Sequence, residues 1–284
     1  MGAIISKVKN VLYYLPKKPM TKLRYKYSTG KKLDFNNPKD FNEKVLTLLA
    51  TKFGQLETDC ADKYKVRQFV EKRGLGNILT KLYGKYDNAN DIKFDELPEE
   101  YVLKTNHGCG CTIIKEKGKN IDIQDAIKSL NDSLSKNYAK LSFEYQYAKI
   151  KPCILCEEYL KEEGKKNPTD YKFYCFDGKV DSVLICSERE KKLRLDYFDL
   201  NWNYLDYAKE EYRSNKKLEK PKELSQMVEI ASILSKGFPF VRVDLYDING
   251  KIYFGELTFT PAGGIVKYNT DEALEYFGNS IDIK

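Results

Sequence analysis

The sequence predicts an α+β fold built around antiparallel hairpins, and three stretches predict it. Residues 100–115, EYVLKTNHGCGCTIIK, set a short apolar run at 101–103 against a second at Ile113 and Ile114, across a turn at 107–111. Residues 171–176 alternate, break at Asp177-Gly178, and return as a strand over 180–186. Residues 240–246 and 252–258 repeat that arrangement about Asn249-Gly250. Helical periodicity falls between these hairpins, at 41–46, 59–73, 123–134 and 221–236.

The bulk of the chain narrows the class. With 284 residues, 42% of them hydrophobic, it can bury one large core or two closely packed lobes. No apolar run is long enough to span a bilayer. Cys60, Cys109, Cys111, Cys153, Cys156, Cys175 and Cys186 make an odd set, read as free thiols of a reducing cytoplasm. A net charge of +7 admits an anionic substrate or an acidic membrane surface. It does not argue for nucleic acid, since no dense basic run with interleaved aromatics stands out.

In chain order, residues 3–15 place Ile4, Ile5, Val8, Val11, Leu12 and Leu15 on one helical face, with Pro16 and Pro19 ending the helix. Such a helix either docks on the domain or lies peripherally on a membrane. An Asn-Asn-Pro turn leads into the helix at 41, capped by Asp40 or Asn37. In the next helix, Asp62, Lys63, Lys65 and Arg67 read by pattern as a solvated face with i,i+4 pairs. A strand is expected at 79–83, and another from Pro152 that ends at Glu157 and Glu158. Residues 188–220 read as an irregular charged excursion tied down by Trp202. The expected divisions are 1–32 (N-terminal helix and basic linker), 33–98, a central lobe at 99–160 and a C-terminal lobe at 161–284.

Two of the hairpins carry chemistry. In the first, Gly108 and Gly110 let backbone amides approach an anion, and Lys104 supplies a point charge; the competing reading is a surface hairpin. In the last, Arg242 and Asp244 share one strand face, and Glu256 and Thr258 share one face of its partner. Two carboxylates converging beside a phosphate loop are what Mg²⁺ on nucleotide phosphates requires, and the competing reading is a solvated face with an Arg–Asp pair. Lys172, opposite Tyr171 and Phe173, is either edge protection or a ligand contact. Cys109, Cys111, Cys153 and Cys156 have poor spacing for zinc. His107 has no triad partner and reads as a satisfied loop residue or a phosphate contact.

Taken together, the segments NPKDFNEKV, DKYKVR, VLKTNHGCG, CEEYL, DYKFYCFDGKV and FVRVDLY…GELTFTPAGG resemble the TupA-like ATP-grasp family, from about residue 33 onward. The resemblance implies two lobes whose antiparallel sheets clamp ATP, behind a helical and Rossmann-like N-terminal region. It implies Lys104 and Lys172 on the phosphates, and His107, Gly108, Gly110 and Thr112 in the loop that covers them. Glu157 or Glu158, with Glu158 favoured, would meet the adenine or ribose. Asp244, Glu256 and Thr258 would hold Mg²⁺, and Arg242 would stabilise a transferred phosphoryl group. Thr258 departs from the superfamily's frequent Asn. The implied activity is an ATP- and Mg²⁺-dependent ligase joining a carboxylate to an amine or amino acid through an acyl-phosphate. Its anionic or sugar acceptor would be a surface or capsular polysaccharide, or a precursor of one. A sugar kinase of the same fold and a nucleotide-binding partner of a polysaccharide assembly complex are the alternatives.

Overall fold

The computed structural model describes residues 13–108, 110–162, 168–187, 193–214 and 216–283. Most of the helix expected over 3–15, and Cys109 of the glycine turn, lie outside them.

The first described helix is α1 (Lys17–Thr29), with Pro16 at its N-cap. Pro16 and Pro19 are tolerated at the start of this helix because the first N–H groups of a helix have no intrahelical partner to lose. In α2 (Phe41–Thr51), the Asp40 carboxylate accepts from the Glu43 N–H at 2.9 Å. The single helix expected over 59–73 is two, α3 (Gln55–Ala61) and α4 (Val66–Lys72). Asp62 breaks it. Its buried carboxylate accepts from the Tyr64 N–H and the Asn106 side-chain amide, each at 2.9 Å, offering the backbone an alternative to the helix. The solvated-face reading of this segment is therefore corrected.

One antiparallel sheet contains β1 (Leu82–Tyr86), β2 (Tyr101–Thr105), β3 (Thr112–Lys115) and β4 (Ile154–Glu157), in the order β1-β4-β2-β3. Tyr101 and Leu103 face a core shared with Leu130 of α5 (Ile123–Leu134), so Lys104 must point the other way. The short α6 (Tyr138–Ser142) follows α5.

The second sheet contains β5 (Asp170–Phe176), β6 (Lys179–Ser187), β7 (Arg194–Phe198), β8 (Tyr204–Leu205), β9 (Val241–Ile248) and β10 (Lys251–Thr258). Its order is β10-β9-β5-β6-β7-β8. β7 and β8 occupy the stretch read as an irregular excursion. β7 points Asp196 inward, where it is fully buried and accepts from the Ser214 N–H, so its alternation of polarity is masked. Trp202 does tie the segment down, stacking on Phe198 at 4.5 Å.

The two faces of this sheet differ. Tyr171, Phe173, Val241, Val243 and Leu245 pack against Met227, Ala231 and Leu234 of α7 (Leu224–Ser235). On the opposite face, Tyr174 and Phe176 join Phe41 of α2 and Phe277 of α8 (Asp271–Ser280). Further along that same face the apolar side chains give way to Lys172, Arg242 and Asp244. The register places Lys172 opposite Asp244 and Tyr174 opposite Arg242.

A bulge between Phe254 and Glu256 sets the last hairpin, leaving Glu256 opposite Asp244 and Thr258 opposite Arg242. Gly255 fills the bulge because a Cβ there would lie 2.9 Å from the Asp244 carbonyl oxygen. Gly255→Ala is expected to lower folding stability by about 1–3 kcal/mol, read as a drop in thermal midpoint. An unchanged midpoint would show that the bulge gives way freely.

Candidate active site

A cavity of about 320 Å³ lies between the sheets, with Lys104, Thr112, Glu157 and Glu158 on one wall and Lys172, Asp244 and Glu256 on the other. At its floor, Lys172 and Asp244 join Arg242 in a buried charge cluster. Lys172, Asp244 and Arg242 are 6%, 1% and 9% exposed, a burial that charged side chains tolerate only when paired. Asp244 accepts from Arg242 Nε at 2.7 Å, from Arg242 Nη2 at 2.6 Å and from Lys172 Nζ. Lys172 also donates to Asp170 at 2.5 Å. Burial pushes the Asp244 carboxyl above its usual range, while Arg242 and Lys172 limit the rise. Burial alone would lower Lys172, but Asp244 beside it leaves the ammonium held above its ordinary value.

Arg242 reaches across the hairpin. Its Nη2 donates to the Thr258 hydroxyl at 3.0 Å and lies 3.6 Å from Glu256 Oε1. Thr258 in turn donates to Glu256 at 3.2 Å. The Glu256 side chain is about half exposed; what burial it has pushes its carboxyl up, yet Lys63, Lys172 and Arg242 together pull it down to about 2. Among the described residues no three His, Cys, Asp or Glu side chains gather to hold a metal. The two carboxylates that do converge suit Mg²⁺, which binds through one or two carboxylates with substrate phosphates completing its shell.

On the other wall Lys104 pairs with Glu157 at 2.5 Å, and Arg67 stands 3.7 Å from the same carboxylate. Glu158 accepts from the Lys81 N–H at 3.3 Å. Gly108 has φ 67° and lies so close to Tyr138 that a Cβ would meet the ring at 2.1 Å. His107 is buried, with Nε2 3.1 Å from the Lys136 carbonyl and its ring edge-on to Tyr138. His107, Gly108, Gly110, Arg242 and Thr258 are not among the residues lining the cavity.

Burial pushes the His107 imidazole below its ordinary value. A depressed pKa contributes stability above the unfolded value that is lost as pH falls through the folded one. As the chain's only histidine, it should titrate in proton NMR below the usual midpoint near 6.5. Folding stability should fall with it, and a midpoint at or above the usual value would contradict the packing.

Lys63 and Asp170 are charged cavity residues that pattern reading missed. Asp170 sits beside Lys172. Lys63 lines the space and donates to the Gly108 carbonyl at 2.7 Å, tying the glycine loop to the segment between α3 and α4. The usable signal was its place beside Asp62 in DKYKVR. A larger cavity, about 530 Å³ beside Tyr64 and Phe69, contains none of the predicted site residues.

Two antiparallel sheets facing each other across a lysine- and carboxylate-lined cleft form an ATP-grasp architecture. The model of the TupA-like ATP-grasp family matches residues 43–282, and the chain belongs to that family. Among solved structures it is similar to a D-alanine–D-alanine ligase from Bacillus anthracis, at 17% identity over 86% of this chain and 69% of that one, TM-score 0.44. It is also similar to an L-amino acid ligase from Bacillus licheniformis, at 13% identity over 76% and 47% of the two chains, TM-score 0.47. A third is an N5-carboxyaminoimidazole ribonucleotide synthetase in complex with ADP, at 17% identity over 72% and 46%, TM-score 0.43. The chain therefore spans about half the length of the second and third. A search of curated proteins gave no match.

Proposed function

We propose that the protein is an ATP-dependent carboxylate–amine ligase that modifies a surface polysaccharide or its precursor. It would work in the cytoplasm, against the inner face of the membrane. The observation that carries the reading is the buried Lys172–Asp244–Arg242 cluster set beside Glu256 on the floor of the cleft. Cations on that floor suit phosphoryl oxygens that gain charge during transfer.

A carboxylate oxygen of the acceptor attacks the γ-phosphorus of ATP. The bond to the bridging oxygen breaks, and its electron pair leaves with ADP. An amine nitrogen then attacks the acyl carbon, the carbon–oxygen bond to phosphate breaks with its electron pair leaving on the phosphate, and the nitrogen's proton passes to that phosphate. Lys104 holds the α- and β-phosphates, the amides around Gly108, Gly110 and Thr112 cover them, and Glu158 takes the sugar hydroxyls. His107 braces that loop from behind. Lys172 and Arg242 exchange Asp244 for the transferring group. Asp244 and Glu256, with Thr258 beside them, would hold Mg²⁺, which supplies positive charge to the phosphate oxygens when bound. The chain has no acid–base work to do beyond orienting the two reactants.

Turnover by the purified protein with ATP and Mg²⁺ tests this, read by mass spectrometry against uronic acids, neutral sugars and amines. The expected result is ADP release that needs both an acid and an amine, with a product lighter by one water than their sum. ADP with a phosphorylated sugar would replace the ligase by a kinase. Nucleotide binding with no turnover on any pair would favour the non-catalytic partner.

A further inference from the structure

The charge of this chain is concentrated at one end. Residues 1–33 hold nine of its 49 basic side chains and none of its 42 acidic ones, so the remainder carries two more acids than bases. The whole positive balance therefore belongs to α1 and the residues around it. Residues 17–32 hold seven of those nine, with Tyr25 and Tyr27 among them, which corrects the expectation that no basic run carries interleaved aromatics.

The structure divides α1 into two faces. Inward, Met20, Thr21 and Tyr25 are buried, and Arg24 donates to the Gly263 carbonyl in the turn that follows β10. Outward lie two neighbouring ridges at four-residue spacing, Lys18-Lys22-Lys26 and Pro19-Leu23-Tyr27, with all six residues exposed. Leu23 is 50% exposed and Tyr27 93%, and Tyr14 and Leu15, just before the helix, are exposed as well. Four of the ten exposed large apolar side chains among the described residues fall in this one stretch. The ammonium groups of Lys18 and Lys22 stand 6.0 and 5.5 Å from the Phe35 ring, so the basic ridge has a fixed side.

We infer that the outer face of α1 is a docking surface for an anionic lipid bilayer. This deepens the membrane association proposed above and rests on it. An apolar ridge with an aromatic at one end, flanked by lysines on a helix that itself carries no acid, is the composition of a helix lying in the headgroup plane. Leu23 and Tyr27 enter the acyl boundary, while Lys18, Lys22 and Lys26 meet lipid phosphates. Nucleic acid would use the lysines but would leave the Pro19-Leu23-Tyr27 ridge in water, whereas a bilayer engages both ridges. Because Arg24 ties the inner face to the turn after β10, docking would hold the cleft at the membrane, where a lipid-linked acceptor resides.

The test is co-sedimentation of the full chain with vesicles of phosphatidylglycerol and phosphatidylcholine in equal parts, and with phosphatidylcholine alone. Binding to the anionic vesicles only is expected, weakening as salt rises and screening tightens. Lys22→Gln with Lys26→Gln should weaken it by about 25-fold, roughly fivefold for each lysine. Leu23→Glu with Tyr27→Glu should abolish it, while nucleotide binding is unchanged in both variants. Failure of the unaltered chain to bind would remove the membrane association itself. Binding that both variants retain would leave the association standing and overturn the assignment to α1. An oligonucleotide that competes the vesicles off, with the Leu23/Tyr27 variant still binding that oligonucleotide normally, would overturn the bilayer in favour of nucleic acid.

Discussion

Asp244→Asn is expected to reduce nucleotide turnover by about 10²–10³-fold, the usual scale for losing one organised charge at a transferring group. The geometry explains the size. Asp244 is 1% exposed and takes three N–H bonds, two from Arg242 and one from Lys172. An amide of the same shape cannot compensate either cation, and it removes one of the two carboxylates available to a metal. The fold should suffer as well, by up to about 3 kcal/mol, because a buried charge left without its partner is expensive. The two effects can be separated. Adding Lys172→Met removes one stranded cation, so the double variant should recover part of the thermal midpoint while turnover stays lost. If Asp244→Asn alone keeps its turnover, the charge cluster is structural and the site lies elsewhere.

Lys63→Ala is expected to raise the KM for ATP by about 10–100-fold, the range for losing a charged hydrogen bond that positions a loop. Lys63 holds the Gly108 carbonyl at 2.7 Å, so without it the glycine loop loses its tie to the α3–α4 segment. A second readout follows from Glu256. Burial raises its carboxyl, and Lys63 is the foremost of the three cations that hold it down to about 2. With the folded value depressed, the ionised carboxylate contributes stability above its unfolded value, and this is lost as pH falls through the folded one. In the unaltered chain that loss runs from the ordinary glutamate range down to about 2; in Lys63→Ala the folded value moves up toward that range, so the part of stability lost in acid shrinks. KM measured against pH, with acid unfolding alongside, checks both. An unchanged KM together with an unchanged acid limb would reduce Lys63 to a surface lysine.

What could be read in advance depended on how local the determining interaction was. The last hairpin was legible because Asn249-Gly250 fixes the turn and alternation then assigns faces, so Arg242, Asp244, Glu256 and Thr258 came out on one side. The bulge at Gly255 was not, since nothing in the strand itself shows that Asp244 approaches so closely. Asp62 hid for the opposite reason: charges at helical spacing imitate a solvated helix. The partner that turns its carboxylate inward, Asn106, is 44 residues away. β7 was lost because a buried Asp196 interrupts the apolar pattern by which strands are recognised. His107 sits in the right loop, but its ring direction is set by Tyr138 on a helix that sequence reading left undefined.

The cleft also keeps its accounts balanced before anything enters. Counting Arg67 and Arg242 with the side chains that line it, five basic groups face five acidic ones, most of them already coupled to one another. A site arranged this way exerts little net pull on a loose polyanion from a distance. Each contact to a phosphate oxygen must be exchanged for a contact the protein already had, so inorganic phosphate or an unchelated triphosphate gains little. A triphosphate that arrives with a divalent cation can offer Asp244 and Glu256 a replacement for the lysines and arginine they release. On the proposed function, the internal pairing would act as a filter, admitting the chelated nucleotide as a unit and discriminating against its parts.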